Sequence, residues 1–286
     1  SLKAQPDYET KASYSVTILS TDEGGKTYSK TFTIAITDTN DAPTLTVPTG
    51  GSVTEDAVAS TITGSLTSSD PENATLTYLM PGKTAVDGSY SVTGMYGTLV
   101  LNASTGAYTY TLDNSASAVQ SLDLSSSETE TFSVQVTDGS NTPTAQNLSF
   151  TIKGANDAPS SVALSSTSVV ENSAGAVVGA LSASDAEGTA VTYTIAAAGD
   201  GALFEVDGSN NLKLKSSVTA DLETKSSYSV TVNATDGTAT TSKVFSISVG
   251  DVNEAPTLTV PTGGSVTEDA VASTITGSLT SSDPEN

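Results

Sequence analysis

Short runs in which every second residue is apolar recur along the whole chain. In Tyr228-Ser-Val-Thr-Val-Asn-Ala234 the apolar side chains occupy alternate positions, and Phe245, Ile247 and Val249 repeat the pattern a few residues later. Near the start, Tyr14, Val16 and Ile18 and then Phe32, Ile34 and Ile36 do the same. A period of two sends successive side chains to opposite faces of a strand. One face then packs on a core and the other meets water, as in antiparallel sheets. The runs are bounded by Gly, Asn, Asp and Ser clusters, which are turn signals. No stretch sustains the i, i+3, i+4, i+7 spacing of an amphipathic helix. The pattern predicts an all-β chain.

A recurring punctuation divides the strands into groups. Asp38-Thr-Asn-Asp-Ala-Pro43, Gly154-Ala-Asn-Asp-Ala-Pro159 and Asp251-Val-Asn-Glu-Ala-Pro256 share one form. Proline lacks a ladder donor and forces its predecessor into extended backbone, so each mark closes one strand group and opens the next. The expected divisions are residues 1–42, 43–158, 159–255 and 256–286. The two central units have the size of a sandwich of seven or more strands. The chain also repeats itself: Ala42 to Asn73 and Ala255 to Asn286 are the same 32 residues, 213 positions apart. Identity over that length points to recent duplication and to a window on a longer tandem array, an architecture that supplies length or surface.

Composition narrows the chemistry. The 286 residues hold no Cys, His, Trp or Arg, and 10 Lys stand against 32 Asp and Glu, for a formal net charge of −22. Nucleic-acid binders need basic patches to displace counterions, so nucleic acid is not an expected partner. An anionic membrane surface is equally disfavoured, and no apolar run approaches the ~20 residues of a membrane span. Without His or Cys there is no Ser–His–Asp or Cys–His relay and no thiolate or imidazole zinc site. What remains is carboxylate and carbonyl oxygen, the ligand set of hard cations such as Ca²⁺.

Ordered motifs then give a resemblance. Residues 159–255 carry Val170-Glu-Asn172, Ala183-Ser-Asp-Ala-Glu187, Ala220-Asp-Leu-Glu223, Ala234-Thr-Asp236 and Asp251-Val-Asn-Glu-Ala-Pro256. This set resembles a complete cadherin repeat. Asp7-Tyr-Glu9, Thr21-Asp22 and Asp38-Thr-Asn-Asp41 match the last three motifs, so residues 1–42 resemble the second half of such a repeat. Residues 43–158 differ: Gly94-Met-Tyr-Gly-Thr-Leu-Val-Leu101, Gly106-Ala-Tyr-Thr-Tyr-Thr-Leu112 and Phe132-Ser-Val-Gln-Val-Thr-Asp-Gly139 resemble a VCBS repeat, and residues 256–286 would open a second one. The resemblance implies tandem Greek-key β-sandwiches, cadherin-like or immunoglobulin-like, in an extended string. Such strings occur in large secreted or surface-attached bacterial adhesins of the RTX type.

In cadherins, Ca²⁺ lies between successive repeats. An early Glu, an Asp-x-Glu pair and an Asp-x-Asn-Asp linker come from below, and a second acidic pair with a late Asp from above. Carried onto this chain, the first junction would use Asp7, Glu9, Asp38, Asn40 and Asp41, facing Asp70, Glu72 and Asp138. The third would use Glu171, Asp221, Glu223, Asp251, Asn253 and Glu254, completed by Asp283 and Glu285. The second departs from the pattern. Gly154 replaces the first linker Asp and no Asp-x-Glu pair precedes Phe132, leaving Glu55, Asn156 and Asp157 to face Asp185, Glu187 and Asp236. Fewer ions are expected there, one or none. Asp123, Glu128 and Glu130 read as a solvated face, and the Asn-x-Ser/Thr sequons at Asn73, Asn102, Asn147 and Asn233 as accidents of a Ser- and Thr-rich chain.

The expected function is a calcium-rigidified extender of an extracellular adhesin, on a bacterial surface or secreted. Its immediate partners would be adjacent repeats of the same chain, with any glycan or cell-surface ligand held by other domains. A competing reading is a glycan-binding or homophilic module in its own right, for which Tyr8, Tyr28, Tyr90 and Tyr96 are the candidate exposed aromatics. A glycosidase-like enzyme would need paired carboxylates framing a cleft, whereas these cluster at domain boundaries. No catalytic residue is assigned.

Overall fold

The computed structural model describes residues 4–265, 268 and 277–283. The chain divides into two compact units, residues 1–155 and 156–286. Each has a core of its own. Among the described residues, helix is confined to one four-residue turn and one 3₁₀ turn.

The first unit opens with a hairpin, β1 (Ser13–Thr21) and β2 (Thr27–Ala35), in register from Ser13↔Ala35 to Thr21↔Thr27. A sandwich follows. Its strands are β3 (Thr44–Thr46), β4 (Ser52–Thr54), β5 (Thr61–Ser65), β6 (Thr67–Ser69), β7 (Thr77–Leu79), β8 (Ser89–Thr93), β9 (Gly97–Asn102), β10 (Ala107–Leu112), β11 (Ser127–Thr137) and β12 (Gln146–Lys153). A short helix, α1 (Ser117–Gln120), lies between β10 and β11. One sheet runs β5-β10-β9-β8 and the other β4-β12-β11-β7, while β3 pairs with β6.

Alternation builds the core. Tyr108, Tyr110 and Leu112 of β10 and Leu148, Phe150 and Ile152 of β12 all point inward and are buried. Tyr110 stacks on Phe150 with ring centroids 4.3 Å apart, and Tyr108 and Phe132 meet Phe150 edge-on at 5.9 and 6.1 Å. Such pairs add about 0.5–1.5 kcal/mol each beyond the area they bury.

Glu130 does not belong to the solvated face on which its neighbours Asp123 and Glu128 lie. It is 7% exposed, because the alternation of β11 aims it inward along with Phe132. Its carboxylate accepts from the Tyr110 hydroxyl at 2.7 Å, from Tyr96 N–H at 3.0 Å and from Met95 N–H. A side chain at Gly94 would begin 2.1 Å from Glu130 Oε1, so glycine there lets the turn before β9 close over the carboxylate without displacing it. Burial, and then the Glu130 carboxylate, push the Tyr110 hydroxyl pKa up. Tyr90 is also buried and Tyr96 half-buried, which removes two of the four candidate exposed aromatics.

The second unit repeats the plan with fewer strands: β13 (Ser160–Leu164), β14 (Ser168–Val170), β15 (Val177–Ser184), β16 (Thr192–Gly199), β17 (Phe204–Val206), β18 (Asn211–Leu214), β19 (Ser227–Thr235) and β20 (Thr240–Gly250). Its sheets run β13-β15-β18-β17 and β14-β20-β19-β16. Both sandwiches share one unusual pairing, a short early strand lying parallel to the last strand. β4 pairs β12 with Thr54↔Lys153, and β14 pairs β20 with Val170↔Gly250. The next residue is Glu55 in one unit and Glu171 in the other. Strand pairing therefore delivers a glutamate to the same end of each sandwich.

Two repeated sequences occur in different environments. Ser-Tyr-Ser-Val-Thr stands at 13–17, at 89–93 and at 227–231. In β19 its Tyr228 and Val230 are buried, whereas the β1–β2 hairpin leaves Ile18 58%, Phe32 44% and Tyr28 73% exposed. The 32-residue duplicate behaves likewise. Leu45 and Leu66 are buried in the first copy. In the second, β21 (Thr257–Thr259) pairs β22 (Thr280–Ser282) in the register of β3 and β6, with Leu258 and Leu279 exposed. Thr44 and Ser69 hydroxyls lie 2.7 Å apart, as do those of Thr257 and Ser282.

Candidate metal-binding edges

The expected ligands gather at sandwich edges. At the N-terminal edge of the first sandwich, Asn40 Nδ2 donates to Asp138 Oδ2 at 2.7 Å and to Asp41 O at 2.9 Å. Asp41 N–H donates to Glu72 Oε1 at 3.2 Å. Carboxylate oxygens of Glu9, Asp38 and Glu72 lie within 4.8 Å of one another. Asp7, Glu9, Asp38 and Asp41 line a cavity of about 500 Å³. At Glu9 its own backbone N–H favours the charged form. Desolvation and the negative charges of Asp38 and Glu72 outweigh that and leave its pKa raised. Asp7 turns inward on its own loop, accepting from Thr10 N–H at 2.9 Å and Thr10 Oγ1 at 3.0 Å.

The N-terminal edge of the second sandwich has the same bond pattern. Asn156 Nδ2 donates to Asp236 Oδ2 at 3.0 Å and to Asp157 O at 2.9 Å. Asp157 N–H donates to Glu187 Oε1 at 2.6 Å. Asp138 and Asp236 each use Oδ1 to hold the following turn, through Ser140 and Asn141 N–H in one and Thr238 and Ala239 N–H in the other. Those amides, with the Asn40 and Asn156 side chains, hold both carboxyls below the usual aspartate range. Both turns are Asp-Gly, so the turn role and the edge role fall on one side chain, one oxygen each.

Both N-terminal edges also carry carboxylate oxygens that are buried and meet no hydrogen-bond donor: Asp70 Oδ2 and Glu72 Oε2 in the first, Asp185 Oδ2 and Glu187 Oε2 in the second. The companion oxygens of Asp70 and Asp185 accept from Ala74 and Thr189 N–H at 3.0 and 2.8 Å. An ionised carboxylate out of water is costly unless paired.

The C-terminal edge of the second sandwich is built around Glu171, 1% exposed. Its two oxygens accept from Val252 N–H at 2.7 Å and Leu222 N–H at 2.6 Å. Glu223 and Asp251 bring carboxylate oxygens within 4.8 Å of it. Asp221 caps its own turn through Thr224 N–H at 2.8 Å, as Asp7 does. Asn253 Nδ2 donates to Glu254 O at 3.0 Å, and Asn172 donates to the Glu254 carboxylate. Asp283 is half-buried, and Glu285 lies outside the described residues.

Glu55 occupies the place of Glu171 in the first sandwich. Among the described residues no carboxylate triad forms around it. It accepts instead from Gln120 Nε2 at 3.0 Å and Ala155 N–H at 3.2 Å. Sequence reading marks the missing Asp-x-Glu pair and Gly154. It does not find Gln120, because no spacing ties a glutamine on α1 to a glutamate 65 residues earlier.

In fold, these sandwiches resemble those of cadherin extracellular domains. Residues 40–154 match the family described as the bacterial cadherin-like domain. Among solved structures, the chain is similar to the protocadherin gamma B4 extracellular domain at 19% identity and a TM-score of 0.58, covering 99% of this chain and 44% of that one. It is similar to protocadherin gamma B2 extracellular cadherin domains 1–5 at 21% identity and a TM-score of 0.56, covering 97% and 53%. The chain thus spans about half the length of these two structures, and at these identities the likeness is one of fold. No curated protein matches.

Proposed function

We propose that this chain is a calcium-rigidified extender region of an extracellular bacterial adhesin, which serves adhesion by spacing a binding tip and has no catalytic role. The match of residues 40–154 to a bacterial cadherin-like family, beside a second cadherin-like sandwich, supports an adhesion-related tandem repeat. The VCBS-like motifs and the duplicated segment support the finer reading of a large repeat adhesin.

The observation that carries the calcium reading is the set of buried carboxylate oxygens without donors on Asp70, Glu72, Asp185 and Glu187. No basic residue stands ready to neutralise them: the ion pairs among the described residues are Lys213–Glu205 and Lys225–Asp200. Oxygen ligands in irregular geometry suit Ca²⁺, which accepts about 6–8 of them. The first site would be held by Asp70, Glu72 and Asp138 with Asn40 and Asp41, and the second by Asp185, Glu187 and Asp236 with Asn156 and Asp157. Glu171, Glu223 and Asp251 would hold a third, with Asp221, Asn253, Glu254 and Asp283 nearby. Glu9 and Asp38 extend the first. The ion would supply positive charge that cancels repulsion and fixes the loops.

A ligand that binds only the folded state stabilises it, by about 2.7 kcal/mol at a hundredfold excess over Kd. Titrating millimolar Ca²⁺ into chelator-treated protein should therefore raise the melting temperature and slow proteolysis near Asp38 and Asp251. An unchanged melting temperature together with unchanged cleavage would sink the calcium assignment.

A further inference from the structure

We infer that the C-terminal edge of the first sandwich is closed by the Gln120 side-chain amide in place of a divalent cation, so that Ca²⁺ does not act at Glu55. This rests on the calcium reading above, of which it is the exception.

The two edges match atom for atom up to one point. Glu55 N–H donates to Lys153 O at 2.8 Å, and Glu171 N–H to Gly250 O at 3.2 Å. Two residues beyond those carbonyls, Ala155 N–H donates to Glu55 Oε2 and Val252 N–H to Glu171 Oε1. The second glutamate oxygen then diverges. Glu171 Oε2 takes a backbone N–H from Leu222, and the same segment brings Glu223 alongside. Glu55 Oε1 takes the Gln120 amide at 3.0 Å, a neutral donor that adds no negative charge. A carboxylate with donors on both oxygens is satisfied without a metal. Three clustered carboxylates are not, because their mutual repulsion remains.

The position between the two anchor residues is Asp251 in one edge and Gly154 in the other. Glycine here is a steric requirement. A side chain at 154 would start 2.2 Å from Asp123 O and 2.4 Å from Leu122 O, backbone atoms of the segment joining α1 to β11. Gly154 N–H also donates to Ser126 O at 3.2 Å, tying β12 to that segment. The fold has brought main chain into the space that the Asp251 side chain uses in the other unit. Asp123, on the segment that meets Gly154, turns its Oδ1 to its own loop, where it accepts from Ser125 N–H, Ser125 Oγ and Ser126 Oγ at 2.8, 2.7 and 3.1 Å. The donor set for a cation is thus dismantled at two points, and a hydrogen-bond donor is placed on the remaining glutamate.

Residue-resolved hydrogen exchange on the whole 286-residue chain, with chelator and then with millimolar Ca²⁺, tests this. Amides of Leu222 and Val252, which bond to Glu171, should slow about tenfold or more with calcium, as linkage requires. The Ala155 amide, which bonds to Glu55, should keep its rate. Slowing at Ala155 to the degree seen at Val252 would overturn this inference and leave the calcium reading standing. No slowing at any of the three would remove the calcium reading and the contrast with it. The variant Gln120→Leu, which keeps bulk and removes the donor, should speed exchange at Ala155 and leave Val252 unchanged. An unaltered Ala155 rate in that variant would show that the amide does not close the edge.

Discussion

At the residue scale, charge in this chain is managed by specific donors. Asp200 shows it away from the candidate metal edges. Its carboxylate receives the Lys225 ammonium and Ser229 N–H, the latter at 2.8 Å. The Lys225 hydrogen bond first, and Ser229 N–H next, hold its pKa below the ordinary aspartate value. A depressed folded pKa means that the contribution is complete above the unfolded value and is lost as pH falls through the folded one. Asp200→Asn should therefore cost under about 1 kcal/mol at neutral pH, as partly exposed pairs do. The difference from the parent should shrink once the pH drops below about 4, where unfolded Asp protonates. Denaturant unfolding at pH 7, 4 and 3 measures it, and a difference that grows on acidification would contradict the assignment. Glu130 shows where residue-level reading stops. The sequence places it among acids on a polar-looking stretch, yet strand parity turns it inward, and its three donors come from β10 and from the turn before β9. Parity is legible in sequence, but a partner across the sandwich is not.

Elements were more legible than partners. Strands at 13–21, 27–35, 227–235 and 240–250 follow directly from period-two alternation, since parity alone decides which side chains face the core. Short strands such as β4 and β14 carry too few residues to show a period, and only the parallel pairing reveals why they matter: they deliver Glu55 and Glu171. The edge motifs were legible because Asp-x-Glu and Asn-Asp-Ala-Pro are local. Gln120 was not, because its role exists only after α1 and β4 meet. The copies of Ser-Tyr-Ser-Val-Thr at 13–17 and 227–231 separate local preference from packing. Both form antiparallel strands, but β19 is paired on both sides, by β16 and β20, with Tyr228 and Val230 sealed in a core, while β1 lies in a two-stranded sheet with β2 and that hairpin presents an apolar face to solvent. A two-stranded hairpin is marginal without a covered face. Amides of Tyr14, Val16 and Ile18 should therefore exchange at least about a hundredfold faster than those of Tyr228, Val230 and Val232, since core strands open only with the whole unit. Comparable protection would mean that the hairpin face is covered in solution.

For the whole molecule, two similar sandwiches carry edges of different chemistry, and cleavage should report the difference. With chelator, a protease of broad specificity should cut near residues 38–41, 154–157 and 251–254. Millimolar Ca²⁺ should suppress the first and last much more than cleavage at 154–155, which borders the amide-closed edge. Uniform suppression at all three would argue that one property governs every boundary. The duplicated 32 residues reach beyond stability. Because 42–73 and 255–286 are identical, a crossover at any point within them joins the chain in frame and restores the same strand sequence. Such an event removes or adds one whole period of 213 residues, a unit that contains one amide-closed edge and one Glu171-type edge. The gene can therefore change the length of its product in discrete steps, each of which adds or removes the two kinds of edge in equal number.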